Sequence, residues 1–209
     1  MLRAVVEGYE DDLNLYAYVG NDPLNKSDPT GLRAIVVEDQ SQRSRILPMI
    51  NSQSRMQYKF DNKGNLVKDL DAKANSRGSS YLSRRLDAAI DGKATISVRI
   101  GETMSYTVRN RQGVPRTEHA NVGENGQGVT DPNGSQVYIT GRSNFDIKDQ
   151  NGRPLSDTPA QILTHELVGH AIPRLFGGGK GSAIDDENVV RGEMGGPLRY
   201  KNPVYWDPN

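Results

Sequence analysis

The chain has 209 residues, enough for one domain with a real core and a short appendage. It is only 34% hydrophobic and carries 22 Gly and 11 Pro, which predicts long connections, modest strands and few helices. A formal net charge of zero argues against a protein that grips nucleic acid by neutralising phosphates, and the lack of cysteine leaves only His and carboxylates for any metal site. No apolar run is long enough to span a membrane, and the N-terminus lacks the apolar core of a signal peptide. Two basic and six acidic side chains give residues 1–32 a net charge of −4, so residues 33–209 carry +4, too little to name a partner.

In chain order, residues 14–19 form an aromatic, strand-like stretch, followed by Asp-Pro turns at Asp22-Pro23 and Asp28-Pro29. Pro23, Asp28, Pro29, Gly31 and Leu32 spell Pro-x4-Asp-Pro-x-Gly-Leu. This ending resembles the C-terminal border of the core of Rhs-repeat proteins, where a conserved β-cage gives way to a variable toxin. The resemblance covers about 19 residues. It implies two domains, the end of the cage at 1–32 and a toxin domain at 33–209. It also implies that the parent cage cuts the chain between Leu32 and Arg33, using aspartates that include Asp28.

Beyond the border, residues 33–38 read as a short strand. Residues 56–60 and 66–70 alternate apolar and polar around an Asn62–Asn65 turn, which predicts a hairpin. Leu82, Leu86, Ala89 and Ile90 recur at helical spacing over Ser80–Ile90. The β-branched runs 94–100 and 103–109, separated by Gly101-Glu102, predict a second hairpin, and the Gly-, Asn- and Pro-rich stretch 110–134 reads as a long loop. Residues 136–140 form a strand. Asp157 or Thr158 caps the next helix, with Pro159 in its first turn and Gly177 to Gly179 at its end. A second short helix covers about residues 184–194.

The first of these two helices contains His165-Glu166-Leu167-Val168-Gly169-His170, two of the chain's three histidines with a glutamate between them. Two imidazoles and a carboxylate on one helix make a zinc-hydrolase site: the histidines bind the metal and the Glu takes a proton from a water whose pKa the metal lowers to about 7. The usual spacing is His-Glu-x-x-His, and here there is one residue more. On an ideal helix i,i+4 positions differ by about 40° and i,i+5 by about 140°. The extra residue therefore predicts a π-type widening between Val168 and His170, eased by Gly169. The bland alternative, a chance cluster, places imidazoles and a carboxylate on an otherwise apolar helix, which is costly without partners.

The hexapeptide resembles the zinc helix of the third dipeptidyl peptidase family, which reads His-Glu-Leu-Leu-Gly-His. Paired acids on the following helix of that family imply Glu187 as the third ligand and Asp186 as the support of a histidine. Arg191 stands where that family's motif has its last acid. Toxin-type zinc peptidases at Rhs ends look similar too, with Glu-Asn-x-x-Arg matched by Glu187, Asn188 and Arg191. The plain reading of these acids is a solvated helix start, and His119, Glu193 and Asp185 are the alternative ligands. Arg191, Arg199, Tyr200 and Tyr205 are candidates to hydrogen-bond an oxyanion, with Arg191 first and Tyr200 second. The strand at 136–140 is a candidate to run beside the zinc helix and pair with an extended substrate.

These readings predict an α+β, zincin-like domain with a small mixed or antiparallel sheet, a zinc helix and a second ligand-bearing helix. They point to a metalloendopeptidase toxin with one zinc per chain, held by His165, His170 and Glu187, and with Glu166 as base. The expected setting is a secreted effector delivered into a target cell, with a protein substrate there, the Rhs cage of its parent and a cognate immunity protein as partners. Nucleic acid is not expected as a partner. The rivals are a zinc hydrolase of a peptidoglycan cross-link, an amide or a nucleic acid, and a non-enzymatic module stabilised by zinc.

Overall fold

In the computed structural model of the chain, residues 35–201 are described. The border residues Asp28, Leu32 and Arg33, and the candidate Tyr205, lie outside them. The fold is α+β, and its organising element is a mixed four-stranded sheet in the order β1-β4-β8-β7. β1 (Ile35–Val36) pairs parallel to β4 (Ile96–Ile100), β4 pairs parallel to β8 (Gln136–Ile139), and β7 (Gly128–Thr130) closes the edge antiparallel to β8. Around it lie three two-stranded ribbons. These are β2 (Tyr58–Phe60) with β3 (Leu66–Lys68), β5 (Thr103–Arg109) with β6 (Pro115–Asn121), and β9 (Asn144–Lys148) with β10 (Pro154–Asp157).

Several elements depart from the sequence reading, α1 (Gln40–Gln53) among them, which the sequence did not suggest. β4 does not fold back on β5. The Gly101 N–H instead donates to Ile139 O and extends the β4–β8 ladder, which matches buried Val98 with buried Val137. The hairpin forms one strand later, where the Asn110 side chain accepts from the N–H groups of Gln112 and Val114 and so shapes the β5–β6 turn. The stretch 110–134 is therefore not one loop, since it holds β6 and β7. β8 is also an inner strand, so the edge strand beside the metal-motif helix is β7.

The helices supply the rest of the core. α1 (Gln40–Gln53) buries Ile46 and Ile50, and α2 (Ser80–Ile90) buries Leu82, Leu86 and Ala89. Thr158 starts the long helix with a capping box to Gln161, and Pro159 follows at its first turn. The helix runs as α3 (Pro159–Thr164), a π-helical segment (His165–Ala171) and α4 (Ile172–Phe176), burying Leu163, Leu167, Val168 and Ile172. α5 (Ala183–Glu193) packs on the π segment, and its own capping box joins Ser182 to Asp185. No helix among the described residues is long and apolar enough to cross a membrane.

Candidate metal centre

The widened helix is the local feature that builds the site. Bonds spaced i to i+5 widen the turn, so positions five apart lie much nearer one face than in a regular helix, and His165 and His170 come together. The Ile172 N–H reaches back five residues to Leu167 O. Pro173 contributes as well, because it has no N–H for Gly169 O and its ring would crowd that carbonyl in a regular helix. Gly169 has a second reason besides the one expected. A Cβ there would lie 2.7 Å from Ala183 Cβ and 2.9 Å from Ala183 Cα. Its missing side chain is what lets α5 approach.

The two imidazoles stand edge to face with centroids 5.0 Å apart. Ligand atoms of His165, Glu166 and His170 all lie within 4.8 Å of one another, and this trio is the candidate metal group among the described residues. Two imidazoles with a carboxylate are a donor set that suits a divalent transition metal, zinc included. Burial and the nearby charges of His165, Arg174 and Arg199 push the His170 pKa down to about 3, so its imidazole is neutral and keeps a lone pair to give.

Glu187, expected as the third ligand, is not in this trio but beside it, joined to it through His165. Its Oε2 lies 2.8 Å from His165 Nδ1. A carboxylate only accepts, so Nδ1 carries the proton and Nε2 is the nitrogen left for a metal. Burial opposes charge on His165, but the hydrogen bond and charge of Glu187 outweigh it and hold its pKa above the ordinary value. Glu187 is itself only 2% exposed. Burial opposes its charge too, yet His165, Arg199 and Arg191 together keep its pKa well below the usual carboxylate range. Arg191 Nε donates to it at 2.6 Å and Arg199 Nη1 at 3.1 Å.

Behind Glu187, Arg191 also donates to Asp157. The β9–β10 register slips between Leu155 and Asp157, and Asp157 beyond this irregularity is buried. Arg191 is thus buried between two carboxylates, whereas Arg199 joins His165, Glu166, Asp157, Ile162, Asn125, Gly126 and Asn144 in lining a small cleft. Of the oxyanion candidates among the described residues, Arg199 is the one that lines this cleft, and Tyr200 is 47% exposed.

The remaining acids have local tasks. Asp186 is fully buried and accepts from the Tyr81 hydroxyl and the Lys180 N–H. Glu193 accepts from Ser79 Oγ and the Tyr81 N–H at the start of α2, and Asp185 closes its capping box and pairs with Lys201. His119 sits on the β5–β6 ribbon against Ser105.

Burial is the main effect raising the Glu166 pKa, and the His165 charge and a hydrogen bond from Thr130 oppose it. Thr130, Asp157 and Arg174 were not singled out as site residues in the sequence. Arg174, whose Nη2 is 3.4 Å from His170 Nδ1, had a usable signal in its i,i+4 spacing from His170. No family model, curated protein or solved structure matches the chain.

Proposed function

We propose that the chain is a zinc metallopeptidase and that it is the toxin domain of an Rhs-repeat protein. The observation that carries this reading is the π segment, which gathers His165, Glu166 and His170 from an otherwise apolar helix into one cluster. In this reading His165 and His170 hold the zinc. Glu187 completes the group through His165, whose tautomer and ring orientation it fixes. Zinc, when bound, supplies a Lewis acid that polarises the scissile carbonyl and makes water acidic near neutral pH.

The chain's own residues do the rest. Glu166 takes the proton of the attacking water and returns it to the leaving amine. Its burial raises its proton affinity, which suits a group that must both accept and give up that proton. Arg199, at the cleft, is the cation placed to stabilise negative charge on the substrate oxygen. The setting follows from the border motif: an effector released from its cage into a target cell, cutting a protein there, with an immunity protein guarding the producer.

A second reading has its own support. Glu166 lies within 4.8 Å of both histidines, as a third ligand of a purely structural zinc would. One experiment separates the two. Glu166→Gln is expected to keep one zinc per chain while cell killing falls by roughly 10²–10⁴-fold, the usual cost of removing a general base. His170→Ala is expected to lose the zinc. Glu166→Gln that loses its zinc supports the structural module, and Glu166→Gln that keeps both zinc and full toxicity rejects the hydrolase.

A further inference from the structure

We propose that Thr130 is the positioning residue for Glu166, an inference that rests on the hydrolase reading above. The edge strand β7 lies against the π segment, and its first residue, Gly128, is in the way of nothing only because it lacks a side chain. A Cβ there would come within 2.9 Å of both Cγ and Oε1 of Glu166 and within 2.7 Å of Ile162 Cγ2. This close approach brings the third residue of β7 into range. Thr130 Oγ1 donates to Glu166 Oε2 at 2.7 Å and lies 3.3 Å from Glu166 O.

The strand does not need that hydroxyl to stay in place. β7 is tied to β8 over three registered pairs, from Gly128 with Ile139 to Thr130 with Val137. The Asp131 side chain then closes the turn by accepting from the Gln136 N–H and from Ser135 Oγ. A β-branched Thr in a strand also has few χ1 choices, so its hydroxyl is aimed by the backbone. The hydroxyl therefore serves Glu166. It holds the carboxylate in one orientation before substrate arrives, and this lowers the cost of reaching the transition state.

Two variants keep the shape while changing the donor. Thr130→Val removes the hydroxyl and keeps the branched side chain, and Thr130→Ser keeps the hydroxyl. Each is assayed beside the wild type and Glu166→Gln as the zinc-loaded 209-residue chain, on a mixed-sequence library of internally quenched peptides. Thr130→Val is expected to lower kcat by about ten- to a hundredfold, the range for a hydrogen bond to a charged group, with KM within about twofold and zinc retained. Thr130→Ser is expected to recover kcat to within about threefold.

Crystal structures of both variants read the same question without substrate. The Glu166 carboxylate should turn away in Thr130→Val and stay in Thr130→Ser. Thr130→Val with wild-type kcat and an unmoved carboxylate overturns the proposal while leaving the hydrolase reading intact if Glu166→Gln is inactive. Glu166→Gln with wild-type kcat overturns both.

Discussion

Glu187 takes hydrogen bonds from His165, Arg191 and Arg199, and Asp157 shares the same two arginines. Two buried carboxylates and two guanidinium groups have formal charges that cancel, which is the condition for keeping ions away from water. Removing one member leaves another uncompensated. Arg191→Leu is therefore expected to destabilise the fold by roughly 3–5 kcal/mol, read as a lower urea midpoint. The double variant Asp157→Asn with Arg191→Leu should cost less than the two single effects added together, because the second change no longer strands a charge. An unchanged midpoint in Arg191→Leu would mean that the network carries no stability. This set also shows what was legible at single residues. His165, Glu166 and His170 could be read from type and spacing alone. Asp157 could not: an Asp just before Pro159 is explained by helix-start chemistry, and its burial against Arg191 depends on the β9–β10 ribbon. Thr130 was hidden because a Thr in a Gly- and Asn-rich stretch reads as loop.

Among the elements, the contact between the π segment and α5 decides the site, since α5 carries Glu187 to His165. Gly169 sits at that contact. Gly169→Ala should force α5 outward, because its Cβ meets Ala183 Cβ, Cα and O within 3.1 Å. Overpacking of this kind costs typically about 1–3 kcal/mol, a fall in Tm of roughly 2–10 °C for a domain of this size. Zinc affinity should weaken with it as Glu187 leaves His165. Thermal melting and zinc titration on that variant check both, and a Tm and zinc affinity equal to wild type would show that the helices are not set by this glycine. A helix with a clear apolar stripe, α2, and one with a strong cap, α3, were legible in the sequence, and α5 was read as a short helix over about 184–194 without its Ser182 cap. α1 was not: its buried face is little more than Ile46 and Ile50, and Pro48 in its interior reads as a break. The β4–β5 hairpin was expected from local turn chemistry and lost to a parallel ladder between β4 and β8. That ladder joins segments about forty residues apart, and no local pattern encodes it.

For the whole molecule, the question is where the domain must begin. β1 is an edge strand of the sheet, yet Ile35, Val36 and Val37 are almost wholly buried, with Ile35 facing Ile96 and Val36 facing Ser97 in register. Each such side chain contributes about 1.5–3 kcal/mol by leaving water. A release cut beyond Val37 would strip all three from the core and leave β4 without a partner on that side. A release cut that spares the core would fall before Ile35, and the Asp28-Pro29-Thr30-Gly31-Leu32 stretch proposed as the border ends just upstream of it. Cleavage between Leu32 and Arg33 leaves the strand whole, with Arg33 and Ala34 ahead of it. On the proposed Rhs reading, the fragment released from the parent protein is expected to begin Arg33-Ala34-Ile35-Val36, and N-terminal sequencing of that fragment measures it directly. A start downstream of Val37 would contradict both the border motif and the packing of β1. A start well upstream of Asp28 would contradict the border alone, and the Rhs reading with it, while leaving the metal centre untouched.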